Sequence, residues 1–262
     1  MYRLAAFDLD GTLLNGQNAI SPGNVRAVAG LIERGITVVA ATARAYESAT
    51  RQFAMHGLPP PAAICCAGAD VRLADGSVVK QWPLSEEYVR FIAELSDRVG
   101  WTATLSTAAM TYRREHPAPS WAAVPRPGLL IVPRLAEIDL TGLLSALIHP
   151  GNGDEEALAE LQGWTDSVAM SRALSFNGEL IITTTARETD KGVGLRALCS
   201  HLKIPASEVV AFGDSSVDLP LFGAAGLSVA VANATADVLK VADMVTASAD
   251  EDGVARAIEQ LW

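Results

Sequence analysis

Two aspartates near the start of the chain, Asp8 and Asp10, have the type and spacing of a metal-binding or acid–base pair. The apolar run before them, residues 4–7, predicts a buried strand, so that both carboxylates come where the strand leaves the core. Residues two apart in an extended backbone point to one side, and Gly11 allows a sharp turn directly afterwards. Because neighbouring carboxylates repel each other, we expect a divalent cation with oxygen ligands here. An Asp-Gly turn that binds nothing is the alternative interpretation.

Further polar residues come where two other predicted strands end. Thr42 and Asp214 each follow an apolar run of strand length. Since open parallel sheets bind ligands beyond the carboxyl ends of their strands, Asp8, Thr42 and Asp214 are expected at one edge of a sheet. Asp218 is four residues beyond Asp214, a spacing that puts both carboxylates on one face if a helix begins there. A capped helix start without a ligand is the alternative.

Lys191 is a candidate partner for an anion. It stands in the segment Thr189-Asp190-Lys191-Gly192, at the predicted first turn of a helix. A cation at that position opposes the helix dipole at a cost of about 0.3–1 kcal/mol, unless an anion pairs with it. A bound phosphate would supply the anion, and a solvated surface lysine is the alternative.

Alternating strands and helices are predicted to position these residues. Residues 1–82 and 188–262 alternate apolar runs of strand length with amphipathic segments, which predicts an α/β fold with a doubly wound, Rossmann-like parallel-sheet core domain. Residues 83–187 break this alternation and predict an inserted α+β domain, with a cleft between the two domains. The elements predicted in the insertion are helices over 86–99, 140–148 and 154–163, and strands over 101–105, 111–114, 129–132, 167–175 and 179–184.

Composition limits the class of partner. The chain has 262 residues, 50% of them hydrophobic, and a formal net charge of -10. This acidic balance argues against a nucleic-acid or anionic-membrane partner, because phosphate backbones are bound by clustered Lys and Arg, and it favours a small substrate. An adjacent pair among the three cysteines lies in an apolar segment, so reduced core thiols are expected. With no signal peptide or membrane span visible, we expect a cytoplasmic protein; the oligomeric state is not predicted.

The order of these residues resembles the motifs of a known superfamily. Asp8-Leu9-Asp10-Gly11-Thr12-Leu13 after an apolar run, then Thr42, Lys191, and Asp214 with Asp218 resemble the motifs of the haloacid dehalogenase superfamily of phosphatases and phosphotransferases. The resemblance covers essentially the whole chain. With a large α+β cap inserted after the third core strand, it is most similar to the Cof-type sugar-phosphatase branch.

The resemblance implies a mechanism and a role for each matched residue. Asp8 would be the nucleophile that becomes an aspartyl-phosphate, and Asp10 the general acid for the leaving alcohol and then the base for water. Mg2+ would be held by Asp8, the main-chain carbonyl of Asp10 and Asp214, with Asp218 supporting its hydration shell. The remaining candidates are phosphoryl-binding positions at Leu9, Thr42 and Lys191 and substrate contacts at Arg44 and Asn233. The substrate would be a small phosphomonoester, most simply a sugar phosphate.

The chain also departs from the branch at three positions. Ala43, Ala67 and Val217 stand where branch members usually carry Gly, Asn and Asn, so the auxiliary hydrogen bonds and the turnover are not predicted. Two other functions stay open: a phosphomutase or other specialised phosphatase, and a catalytically weakened phosphosugar-binding protein. Retention of Asp10 argues against the second, because binding alone needs no acid there.

The residues of the insertion that select a substrate carry no recognisable motif. Arg113, Arg114 and His116 are candidate contacts in this region. A solvated charged face is the expected explanation for them.

Overall fold

A computed structural model describes residues 1–114, 128–150, 154–174 and 179–262. Its contacts divide the chain into a core unit, Met1–Lys80 with Asp190–Trp262, and an inserted unit, Gln81–Thr189. The strands are β1 (Leu4–Phe7), β2 (Thr37–Ala41), β3 (Ala62–Cys65), β4 (Asp70–Arg72), β5 (Val78–Gln81), β6 (Thr102–Ser106), β7 (Thr111–Arg114), β8 (Leu129–Val132), β9 (Ser145–His149), β10 (Val168–Leu174), β11 (Leu180–Ala186), β12 (Val209–Gly213), β13 (Leu227–Ala230) and β14 (Met244–Val245). The α-helices are α1 (Pro22–Glu33), α2 (Tyr46–Met55), α3 (Glu86–Val99), α4 (Glu155–Gln162), α5 (Lys191–Leu202), α6 (Leu219–Phe222), α7 (Ala236–Val241) and α8 (Gly253–Leu261). Across the described ranges, no helix combines the length and the apolar character needed to cross a membrane.

The core unit is built on an eight-stranded sheet in the order β14-β13-β12-β1-β2-β3-β4-β5. β1 pairs in parallel with β12 on one side and with β2 on the other. Every residue of β1 and β12 is buried, as expected for parallel strands covered on both faces. The rings of Phe7 and Phe212 stack across these strands with their centroids 4.7 Å apart. The predicted parallel-sheet core is confirmed, and the carboxyl ends of β12, β1 and β2 lie side by side.

Side-chain caps determine where two of the core helices begin. Ser21 caps α1 by accepting the backbone N–H of Asn24, and a proline is the first residue of the helix. Asp190 caps α5 in the same way by accepting the backbone N–H of Val193 at 2.7 Å. Lys191 is therefore the first residue of α5, which is the position that the sequence predicts for it.

The inserted unit has its own six-stranded sheet, in the order β10-β11-β9-β6-β7-β8. β7 and β8 pair in parallel, whereas the other neighbours are antiparallel. Alternate strand residues, such as Ala103 and Leu105 of β6, join a hydrophobic core with residues of α3 and α4. The residue between them, Thr104, points to the other face, because successive side chains of a strand alternate. Tyr88 of α3 is buried in this core and donates its hydroxyl to Thr184 at 2.8 Å.

The helix predicted over residues 140–148 is wrong. Residues Ser145–His149 form β9 between β11 and β6, and a turn precedes it in which Gly142 has a φ of 73°. A short apolar run does not distinguish a central strand from a buried helix, and pairing with two neighbouring strands decides the outcome here. The other elements predicted in the insertion are confirmed in type. Ser175, the predicted end of one strand, lies outside the described residues.

Candidate active site

Three polar side chains follow the carboxyl ends of neighbouring core strands. Asp8 follows β1, Thr42 follows β2 and Asp214 follows β12. The three strands are adjacent and parallel, and β12 and β2 each extend only one residue beyond the end of β1. The structure therefore brings the three residues to one edge of the sheet, where parallel sheets have room for a ligand.

Lys191 lies buried between two carboxylates. Its Nζ donates to Asp8 Oδ1 and to Asp218 Oδ1, both at 2.6 Å, and the residue is only 2% exposed. The alternative of a solvated surface lysine is therefore wrong. Burial by itself would lower the pKa of Lys191, but the charges of Asp218 and Asp8 outweigh this effect and raise the pKa. The side chain is an ammonium that links the two carboxylates.

Asp218 uses both of its carboxylate oxygens inside the protein. Whereas Oδ1 accepts from Lys191, Oδ2 accepts from the backbone N–H groups of Asp214 and Ser215, each at 3.1 Å. This tight turn requires glycine at Gly213, since a Cβ there would lie 2.6 Å from the Cβ of Asp218. Asp218 thus holds the backbone that carries Asp214.

Asp214 is also held by the opening loop of the chain. Thr12 donates its hydroxyl to Asp214 Oδ1 at 2.8 Å. Gly11 has a φ of +88°, and a Cβ at this residue would come within 2.8 Å of Asp214 Oδ2. Backbone conformation and space therefore both demand glycine at this position. Thr12 is not among the predicted site residues, although its place directly after the turn glycine is an available signal.

The cluster carries more negative than positive charge. Burial raises the pKa of Asp8 well above its usual range, Lys191 opposes this shift, and Asp218 and Asp214 add to it. Burial, together with Asp218, raises the pKa of Asp214 to about 6, against the opposing effects of the Thr12 hydrogen bond and Lys191. The cluster thus contains three carboxylates and one ammonium, and this ammonium donates to Asp8 and Asp218. A further cation would relieve the repulsion among them.

The carboxylate oxygens have a spacing that suits a divalent cation. One oxygen each from Asp8, Asp214 and Asp218 lies within 4.8 Å of the other two. Hard oxygen donors of this kind are the ligands that Mg2+ prefers. The residues present therefore fit a magnesium ion, and the excess negative charge gives a physical reason for one to bind.

Asp10 has partners of its own. Arg44 donates through Nε to Asp10 Oδ2 at 2.8 Å and through a second nitrogen to Asp10 Oδ1. The same guanidinium also donates to Asn18 Oδ1. The Asp10 side chain is 57% exposed, in contrast to the buried Asp8. The two aspartates of the opening motif therefore do not share a partner, and Arg44 lies against Asp10.

The other predicted phosphoryl-binding positions are held by main-chain contacts. Thr42 is buried, its Oγ1 accepts the backbone N–H of Arg44 at 3.1 Å, and its carbonyl accepts that of Ala67 at 3.1 Å. Ala67 has a left-handed φ of 54°, a conformation that Asn adopts more readily than Ala. The carbonyl of Leu9 accepts the N–H of Leu14 at 2.8 Å, which closes the opening loop.

Asn233 contacts the main chain at both ends of its side-chain amide. Its Nδ2 donates to the carbonyl of Gly11 at 2.8 Å, and its Oδ1 accepts the backbone N–H of Ala249 at 2.8 Å. The structure thus places this predicted substrate contact against the opening loop.

The arginines predicted on a solvated face of the insertion are largely buried. Arg113 is 5% exposed and donates through Nε to Thr104 Oγ1 at 3.1 Å. Arg114 donates to the carbonyl of Ser96 at 3.4 Å and lies 3.8 Å from a carboxylate oxygen of Asp97. The prediction of a solvated face is wrong for both, because the sheet pairs β7 into its interior. His116 lies outside the described residues.

Comparison with known proteins agrees with this geometry. The family model of the haloacid dehalogenase-like hydrolases matches residues 5–258. The chain is 26% identical to phosphatase YwpJ of Bacillus subtilis over 99% of both chains. It is 27% identical to the 5-amino-6-(5-phospho-D-ribitylamino)uracil phosphatase YitU of the same organism, over 99% of this chain and 97% of YitU.

A solved structure supports the same relationship. A phosphatase of the haloalkanoate superfamily from Bacteroides thetaiotaomicron superimposes with a TM-score of 0.80 and 26% identity, covering 99% of this chain and 95% of that one. The match extends over both the core and the inserted unit, as the predicted resemblance to the Cof-type branch requires. The chain belongs to the haloacid dehalogenase-like hydrolases and is a phosphatase of that family.

Proposed function

We propose that the chain hydrolyses a small phosphomonoester, a sugar phosphate, in a Mg2+-dependent reaction that passes through an aspartyl-phosphate on Asp8. The observation that carries the proposal is the buried cluster of Asp8, Lys191 and Asp218 beside Asp214. Burying several charges is costly, and a structural role could be filled more stably by apolar side chains. A site for phosphoryl transfer, by contrast, depends on positioned charges.

Asp8 is the nucleophile in this proposal. Lys191 holds Asp8 Oδ1, so the other carboxylate oxygen is the one that attacks phosphorus while the bond to the leaving alcohol breaks. Lys191 and the backbone of Leu9 and Thr42 bind the phosphoryl oxygens. Water then attacks the aspartyl-phosphate and releases inorganic phosphate and the free Asp8 carboxylate.

Asp10 moves the proton in both steps. It donates a proton to the leaving alcohol in the first step and removes one from water in the second. In the structure Arg44 donates to both carboxylate oxygens of Asp10. The first step needs a protonated Asp10, so Arg44 must release at least one of the two oxygens before the alcohol departs.

The metal site follows from the same residues. Asp8, Asp214 and the main-chain carbonyl of Asp10 would hold Mg2+, and Asp218 supports the site because its oxygens already accept from Lys191 and from two backbone N–H groups. When bound, Mg2+ would neutralise negative charge between the carboxylates and the phosphoryl group.

The substrate class rests on the relatives. YitU is named for a substrate whose phosphate is on a ribitylamino chain. We propose that the inserted region, residues 83–187, is the cap that selects the substrate, that residues 1–82 and 188–262 form the catalytic core, and that the reaction takes place in the cytoplasm. Arg44 remains a candidate substrate contact once it leaves Asp10.

Phosphate release tests the proposal. The chain is incubated with p-nitrophenyl phosphate and a panel of sugar phosphates in Mg2+, in EDTA, and in EDTA followed by excess Mg2+. We expect release in Mg2+, none in EDTA, and recovery on readdition. Phosphate release that is unchanged in EDTA contradicts the role of the metal. Transfer to a second sugar without free phosphate identifies a phosphomutase, and binding of sugar phosphates without turnover identifies a binding protein.

A further inference from the structure

One short loop contacts both of the loops that carry the site carboxylates. This loop, residues 231–235, follows β13 and is called here the bridging loop. Asn233 Nδ2 donates to the carbonyl of Gly11 at 2.8 Å, and the backbone N–H of Thr235 donates to the carbonyl of Asp214 at 2.8 Å. The bridging loop therefore contacts the main chain beside Asp10 and the main chain of Asp214 at the same time.

The amide of Asn233 has one orientation that satisfies its partners. Its Oδ1 accepts the N–H of Ala249 at 2.8 Å while its Nδ2 faces the Gly11 carbonyl. A flipped amide would set donor against donor and acceptor against acceptor. Asn233 thus joins the opening loop to the 3-10 turn Ala249–Glu251 at the C-terminal end of the chain.

The Gly11 carbonyl is a sensitive point of the site. Gly11 lies between Asp10, whose main-chain carbonyl is the proposed metal ligand, and Thr12, whose hydroxyl donates to Asp214. The left-handed conformation of Gly11 brings it against the Asp214 carboxylate. A bond to the Gly11 carbonyl fixes the orientation of the peptide that follows Gly11, and with it the spacing between the Asp10 main chain and the Asp214 carboxylate.

We propose that Asn233 is a positioning residue that sets this spacing, rather than a residue that touches the substrate. It acts through the Gly11 carbonyl, and the bridging loop couples that contact to Asp214 through Thr235. The identity of the cation, Mg2+, rests on the proposed function. Partners that orient ligand-bearing groups typically change metal affinity or activity about 10- to 100-fold when they are removed.

Asn233→Ala tests the proposal by two independent readouts. Because the side chain is exposed, the variant is expected to fold. Without substrate, calorimetry should show Mg2+ binding weakened about tenfold. With p-nitrophenyl phosphate and with a sugar phosphate, kcat should fall about tenfold for both, and KM should stay within about twofold, since an interaction that acts in the transition state lowers kcat and kcat/KM together.

Ser248→Ala is the matched control. Ser248 donates to Glu251 at 2.7 Å and stabilises the same 3-10 turn without contacting Gly11. It should leave Mg2+ affinity and kcat near those of the parent chain. If Ser248→Ala reproduces the losses of Asn233→Ala, Asn233 merely stabilises that turn and the proposal is overturned.

A raised KM for the sugar phosphate alone, with unchanged Mg2+ affinity, overturns it in favour of a substrate contact. Failure of the proposed function gives a different result. If the parent chain shows no phosphatase activity, the Mg2+ affinities of the parent and of both variants can still be compared by calorimetry. If the parent chain binds no Mg2+, the metal site itself is contradicted.

Discussion

The two sheets of the molecule carry their buried polar residues in different places. Among the parallel strands of the core sheet, the charges of Asp8, Asp214 and Lys191 gather beyond the strand ends, whereas the buried Asp70 lies on β4, which pairs antiparallel with β3. In the inserted sheet, buried hydroxyls and one arginine lie along the strands themselves. These residues are Thr102, Ser106, Arg113, Ser145, Thr184 and Thr185.

The difference follows from how each sheet is covered. A parallel sheet in this class is buried on both faces, so a charged group can be accommodated only where the strands end. A mostly antiparallel sheet with helices on one face alternates apolar and polar residues along each strand. Buried charges cost more than buried hydroxyls. We therefore expect the core cluster to serve chemistry and the buried hydroxyl bonds of the inserted unit to serve stability.

Substitution of the opening aspartates should produce the largest effect. Asp8→Asn removes the attacking carboxylate and should abolish turnover of every substrate. Asp10→Asn removes proton transfer, which contributes about 10²- to 10⁴-fold. It should therefore retain more activity towards p-nitrophenyl phosphate, whose leaving group departs without a proton, than towards a sugar phosphate.

Steady-state kinetics on both substrates measures these effects, with the exposed Asp166→Asn as the control. If Asp8→Asn and Asp10→Asn lose activity towards the two substrates in equal proportion, the assignment of Asp8 as nucleophile and Asp10 as acid is contradicted. The pair would then be a metal-binding unit only.

Lys191→Met should have the next largest effect, on stability as well as on activity. It leaves Asp8 and Asp218 buried without their shared cation, and breaking such a buried pair typically costs about 3–5 kcal/mol. The loss should be smaller at pH 5 than at pH 8, because burial raises the pKa of Asp8, which can therefore take up a proton at the lower pH. Urea unfolding at both pH values measures it.

Lys240→Ala, at an exposed lysine of α7, is the control and should change the free energy of unfolding by less than about 0.5 kcal/mol. A stable Lys191→Met chain at pH 8 would show that the cluster is not held together by its ammonium. The comparison between the two sheets would then lose its basis.

Mg2+ should stabilise the chain more strongly at pH 7.5 than at pH 5. In the metal-free chain, the pKa of Asp214 is raised to about 6 by burial and by Asp218. A carboxyl whose pKa is raised on folding contributes stability that is present at low pH and is lost as the pH rises through about 6. Mg2+ replaces the proton and requires the ionised carboxylates, so its effect grows over the same interval.

Thermal unfolding with and without Mg2+ at the two pH values measures this dependence. In the Asp214→Asn variant, most of the stabilisation by Mg2+ should be absent. A Mg2+ stabilisation that is equal at both pH values would place the ion away from Asp214.

Tyr88→Phe should have the smallest effect and should act on stability alone. It removes the buried hydrogen bond to Thr184 in the inserted unit, and such a bond contributes about 0.5–1.5 kcal/mol. kcat should not change. Tyr112→Phe, at a partly buried tyrosine of the same unit, is the control. A fall in kcat without a loss of stability would show that the buried hydroxyls of the inserted sheet also serve the reaction.

Elements whose signals are local could be predicted from the order of residues alone. Continuous apolar runs predicted β1 and β12, and the segment Thr189-Asp190-Lys191-Gly192 was predicted to hold the first turn of a helix. Because ligand sites of parallel sheets lie at strand ends, the residues that follow those runs were identifiable as Asp8, Thr42 and Asp214. Each of these inferences needs only the neighbouring residues in the chain.

The tertiary structure alone decided which groups meet. The buried pairing of Lys191 with Asp8 and Asp218 joins residues 183 and 27 positions apart, and no local pattern encodes it. For the same reason the sequence assigned residues 140–148 to a helix and did not indicate that the Asn233 amide contacts Gly11 and Ala249. Amide orientation and the choice between strand and buried helix depend on partners that only the folded chain brings into contact.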